Sequence, residues 1–171
     1  QKQEALANAF VSYNQQMNRE RKSLGLGELT RKSRSKISEA VLKESLLTDT
    51  ESKFIKLGEL YVSKYPKAVD APEVMHEVGY VKYSHRAFED ALKTFRDLVN
   101  TYPNHEMSIS GSYLVLDILN QLKDYDGLVL TCKNLIKSGP GKREFRENVA
   151  RVLRQTELKR IAILEENKKF E

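Results

Sequence analysis

The chain has 171 residues, 40% of them hydrophobic and 31% charged, with a formal net charge of +5 and one cysteine, Cys132. This composition suits one soluble globular domain able to bury a core. It excludes an intrachain disulfide, and no apolar run reaches the roughly eighteen residues of a membrane span.

Read from the start, residues 1–21 form an amphipathic helix, with Leu6, Phe10, Tyr13 and Met17 at helical spacing among helix-favouring alanines. Such a stripe is expected to be a packing face. Leu24-Gly25-Leu26-Gly27 breaks the helix. A second helix is expected over 29–47, and Thr48-Asp49-Thr50 then gives a turn and an N-cap for a helix running to Lys64. In the middle of the chain, Val74, Val78 and Val81 make one stripe and Phe88, Ala91, Leu92, Phe95, Leu98 and Val99 another. The polar stretch Tyr83-Ser84-His85-Arg86 separates them, so two helices are predicted. The same design follows over 109–122 and 125–137, with Lys123-Asp124 as the turn. Past Gly139-Pro140-Gly141 nothing interrupts a helical pattern up to Asn167; one helix is favoured over a bent pair.

These elements repeat. Pro66, Pro103 and Pro140 are each 37 residues apart, and apolar columns match at the same spacing: Tyr61, Leu98 and Leu135; Val62, Val99 and Ile136; Ile55, Leu92 and Val129; Val41, Val78 and Val115. A fixed period of this size marks units that stack on their neighbours. Each proline ends a helix, because it lacks an N–H and disfavours helix at the preceding residue. Three helix pairs are therefore expected over 30–140, between an N-terminal helix and loop (1–29) and a C-terminal helical segment (141–171).

The middle unit resembles a tetratricopeptide repeat: Gly79, Phe88, Ala91, Phe95 and Pro103 fall on that motif's small, aromatic, small, aromatic and terminating positions. The third unit is a weaker copy, keeping Tyr125 and Pro140 but with Leu116, Leu128 and Cys132 at the glycine, alanine and aromatic positions. The first has Gly58 where an aromatic is usual. A 37-residue unit ending in Tyr-Pro is similar to the repeats of bacterial envelope proteins, among them outer-membrane-assembly lipoproteins and Tol–Pal-associated coordinators. The resemblance implies an all-α, right-handed α-solenoid with a concave groove lined by the first helix of each pair. Carried onto this chain, it implies Glu73, His76, Tyr80 and Tyr83 from the middle unit and Ser110, Tyr113, Asp117 and Asn120 from the third. The first unit would add Lys36, Glu39 and Lys43. For Tyr80 and Tyr113, packing on a neighbouring unit is an equal alternative. The set is not the asparagine–lysine clamp of chaperone-binding members.

Catalysis is not expected. His76, His85 and His105 have no ligand-type partner four residues away, and a structural zinc site would want paired cysteines. No metal or cofactor is therefore predicted. Ser138-Gly139-Pro140-Gly141-Lys142-Arg143 lacks the P-loop spacing and reads as a helix stop and a helix start. A lone Cys132 is expected to be a small core residue. Among the basic residues, Arg31, Lys32, Arg34 and Lys36 form a run without an acidic residue. That run suits an acidic partner, but no interleaved aromatic suggests a nucleic-acid platform. The expected function is a non-catalytic scaffold binding a protein or peptide, in a bacterial envelope or motility assembly. The alternative is a cytoplasmic regulatory module whose basic N-terminal helices bind an acidic protein or nucleic acid, and self-association through terminal repeats is a further possibility. With Gln1 first and no signal-like apolar segment, the natural start is expected to have been removed, which leaves periplasm and cytoplasm both open.

Overall fold

The computed structural model describes residues 1–23 and 47–168; the helix expected over 29–47, the basic run Arg31, Lys32, Arg34 and Lys36, and Glu39 and Lys43 lie outside them. Every regular element among the described residues is an α-helix: α1 (Lys2–Ser23), α2 (Asp49–Lys64), α3 (Ala71–Ser84), α4 (Phe88–Thr101), α5 (Glu106–Gln121), α6 (Tyr125–Ser138) and α7 (Arg143–Lys168). The C-terminal segment is thus one helix. The chain gathers into two compact units, residues 1–94 and 95–171, and the division falls inside α4 rather than in a linker.

In the first unit α1 packs on α2 and α2 on α3. The apolar stripe of α1 supplies Phe10 and Met17 to a core shared with Phe54, Ile55, Tyr61, Val74, Val78 and Val81. The ring of Phe10 stacks on that of Phe54 with centroids 4.4 Å apart. This contact explains Gly58, the glycine at an aromatic position. A Cβ there would lie 2.4 Å from Cγ2 of Val78 and 3.0 Å from the Phe10 ring, so neighbouring side chains already occupy the space. The start of α2 follows from its sequence: Thr48 accepts from the Glu51 amide while the Glu51 carboxylate accepts from the Thr48 amide, a reciprocal capping box.

In the second unit α5 packs on α6 and α6 on α7. Phe95, Leu98, Ile118, Leu119, Leu128, Cys132 and Val149 are fully or almost fully buried. Gly111 lets α5 approach α4, since a Cβ at this position would come within 3.1 Å of Leu98. Ser108 adds a polar tie between the same helices, donating to the Tyr102 carbonyl at 2.6 Å.

The 37-residue period is written into the backbone. Arg86 and Lys123, one period apart, have φ of 59° and 57°. The amide of the next residue but one bonds back to each carbonyl: Phe88 to Arg86 at 2.7 Å and Tyr125 to Lys123 at 2.9 Å. Ahead of each proline, the amides of Tyr65, Tyr102 and Gly139 close the last helical turn onto Tyr61, Leu98 and Leu135. These three acceptors are one apolar column of the sequence, and all three side chains are buried.

Candidate binding groove

The predicted positions Tyr113, Asp117 and Asn120 recur every three or four residues on α5, which places them on one helical face. They form one wall of an open groove of about 480 Å³ in the second unit, with Leu116 beneath them. The opposite wall comes from α7, where Val152, Gln155, Thr156 and Lys159 share a face by the same spacing, and Leu128 of α6 completes the floor. Ser110, the fourth predicted residue of α5, is half-buried and does not line the groove.

The walls are held from behind. Tyr113 meets the buried Phe145 ring edge-on at 5.2 Å, and its hydroxyl accepts from Nδ2 of Asn148 at 3.3 Å. The tyrosine therefore presents a ring whose position α7 fixes. Arg160 reaches Asp126 at 2.6 Å, and Lys133 stands 3.9 Å from Glu157, two ion pairs that tie α7 to α6. Lys159 lies 5.4 Å above the Tyr125 ring, within cation–π range. The Thr156 hydroxyl donates to the Val152 carbonyl and so is spent on its own helix. The groove thus combines an apolar floor and the Tyr113 ring with the polar edges of Asp117, Asn120, Gln155 and Lys159. An apolar floor edged by a few polar groups is the general make-up of binding clefts.

In the first unit, the predicted α3 residues His76, Tyr80 and Tyr83 come together as a stack of rings along the helix, and Glu73 lies one turn ahead of them. His76 and Tyr80 rings are 6.5 Å apart and nearly parallel, Tyr80 and Tyr83 are 6.0 Å apart, and Tyr83 then meets Phe88 at 6.0 Å. His76 and Tyr80 are 5% and 8% exposed, so they are buried rather than offered to a partner, while Glu73 and Tyr83 are half-buried. Tyr80 is buried in a stack along its own helix, whereas Tyr113, at 36% exposure, keeps an open edge.

Two features escaped the sequence reading. One is the α7 wall, whose signal was the spacing of 152, 155, 156 and 159 had the last helix been read as the first of another pair. The other is a buried charge cluster around Glu51, 1% exposed, whose Oε1 lies 2.9 Å from both Nη1 of Arg21 and Nε2 of His85. Burial by itself would raise the Glu51 carboxyl, yet the close His85 imidazole, the Thr48 amide and Arg21 outweigh it and hold the group at about 2. Thr48-x-x-Glu51 announced the cap but not the ion pairs.

Cys132 is fully buried, and burial with the nearby Glu157 charge raises its thiol to about 11. Among the described residues there is no group of three or more histidine, cysteine, aspartate or glutamate side chains placed to hold a metal. Nor is any helix among them long and apolar enough to cross a membrane. No family model matches this chain, and no curated protein matches it either.

Proposed function

We propose that this protein is a non-catalytic docking module of tetratricopeptide type, which binds a segment of a partner protein in the groove between α5 and α7. One observation carries the reading: residues placed on α5 by the repeat register meet a second polar-edged wall from α7 across an open, apolar-floored cleft. The recurrence of the left-handed turn at Arg86 and Lys123 supports a stacked-repeat architecture, a right-handed solenoid with first helices on the concave side. Recognition would rest on the rigid Tyr113 ring as anchor, since an aromatic brings large area with few rotamers to freeze. Asn120 and Gln155 would satisfy main-chain groups of the bound segment, and Lys159 would favour an acidic residue in it. The Tyr-Pro endings and unit length support a place in a bacterial envelope assembly.

The test is selection of peptides from a random display library against the wild-type chain, followed by titration of the selected peptides into Tyr113→Ala/Gln155→Ala. Loss of binding by at least tenfold, with an unchanged helical circular dichroism spectrum, supports the groove. Selected peptides that bind both proteins equally place the site elsewhere.

A further inference from the structure

The far side of α7 carries a second feature. Arg154, Leu158, Ile161 and Glu165 follow one another at spacings of four, three and four residues, the rhythm of a coiled-coil seam. All four are exposed, Leu158 at 67% and Ile161 at 53%, and Leu164 on the shoulder adds 59%. Large apolar side chains set together on one helix face are unusual on a surface with no further role. Arg160 and Glu157 make their ion pairs with α6 from positions outside the seam, Glu157 on its flank. At 3.6 residues per turn the centre of the seam lies about 140° around the helix from the middle of the wall formed by Val152, Gln155, Thr156 and Lys159. Covering the seam would therefore not cover the groove.

We propose that this seam pairs with the same seam of a second copy, antiparallel. The argument is the order of charges. The apolar pair is preceded by Arg154 and followed by Glu165. Laid antiparallel, Leu158 of each copy faces Ile161 of the other, and Arg154 of each faces Glu165 of the other. The match is self-complementary, as a two-fold interface requires. Laid parallel, arginine would face arginine and glutamate would face glutamate, which is repulsive. Two apolar layers make a small interface, so the dimer is weak and concentration-dependent. A two-fold pair would carry two grooves, and a partner with two docking segments, or one displayed in many copies, would then be held by avidity. The pairing itself stands whether or not the groove binds a peptide.

Sedimentation equilibrium over about a hundredfold range of concentration reads the association directly. The wild type should move from monomer to dimer across that range. Leu158→Asp, an exposed substitution that the fold tolerates, should stay monomeric with an unchanged circular dichroism spectrum. Arg154→Glu and Glu165→Arg should each be monomeric alone, because each sets like charges against each other. Mixed together they should form a heterodimer, and the double variant Arg154→Glu/Glu165→Arg should regain the homodimer. A wild type that stays monomeric at every concentration overturns the proposal. So does a dimer indifferent to Leu158→Asp, and a failure of the charge-swapped variants to recover shows that the pairing is not antiparallel.

Discussion

Arg86 and Lys123 stand one repeat apart and adopt the same left-handed backbone conformation, with φ of 59° and 57°. Neither is glycine, the residue for which that region is free of steric cost. The turn joining two paired helices therefore holds mild strain at a fixed point in each unit. Replacing Lys123 by glycine should stabilise the chain by about 0.5–1 kcal/mol, after the extra entropy of a glycine in the unfolded chain is set against the relief. Arg86→Gly should gain less, because the Arg86 guanidinium lies 5.5 Å over the Phe88 ring and that contact would go. Urea denaturation of the two variants beside the wild type gives the comparison; a larger gain at position 86 would contradict it.

Acid should destabilise the first unit through Glu51. Its carboxyl is held at about 2 in the folded chain, against an ordinary value of 4.5. A depressed carboxyl contributes stability that is complete above the ordinary value and disappears as pH falls through the folded one. The loss should thus run from about pH 5 down to about pH 2 and amount to about 3 kcal/mol. Glu51→Gln retains a side chain able to cap α2 but strands Arg21 and His85, and should cost about 3 kcal/mol at neutral pH. In that variant the slope of stability against pH should flatten over the same window. Thermal melts at several pH values check both statements.

Gly58→Ala should be destabilising despite the better helix propensity of alanine. The added methyl would meet Val78 at 2.4 Å, an overlap that costs about 1–3 kcal/mol in a packed core. Val78→Ala removes the obstructing methyl, so the two substitutions together should cost less than the sum of each alone. A double-mutant cycle measured by denaturation gives the coupling energy, and simple additivity would refute the steric account.

Cys132 should resist thiol reagents. It is fully buried and its thiol is raised to about 11, so at pH 8 the reactive thiolate is scarce. Native protein should react with a chromogenic disulfide reagent far more slowly than urea-unfolded protein. Equal rates in the two states would mean that the second unit opens easily around α6.

The helices were legible because their signals are local. Pro66, Pro103 and Pro140 marked the helix ends, Thr48 marked a helix start, and the periodic leucines and valines marked the buried faces. The column Tyr61, Leu98 and Leu135 could be read as core from spacing alone, and it is core. The groove was legible by half, because the repeat register assigns positions on α5 but says nothing of a helix beyond the last complete unit. Tyr80 could not be separated from Tyr113 in the sequence, since both are aromatic residues on a first helix. Only packing distinguishes a tyrosine inside a ring stack from one with an open edge. The Glu51 cluster was hidden for a different reason. Arg21, Glu51 and His85 are separated by 30 and 34 residues, and no periodic rule brings them together.

The two tasks of Glu51 have a mechanical consequence. One carboxylate oxygen closes the first turn of α2 on the Thr48 amide, and the other is gripped by α1 through Arg21 and approached by His85 at the end of α3. Sliding α2 by a single residue, about 1.5 Å along its axis, would carry the cap with it but break the contacts with α1 and with the end of α3 at once. The residue therefore acts as an alignment peg. It sets the phase of three successive helices in the first unit, a constraint that apolar side chains, content with any close packing, would enforce far less sharply.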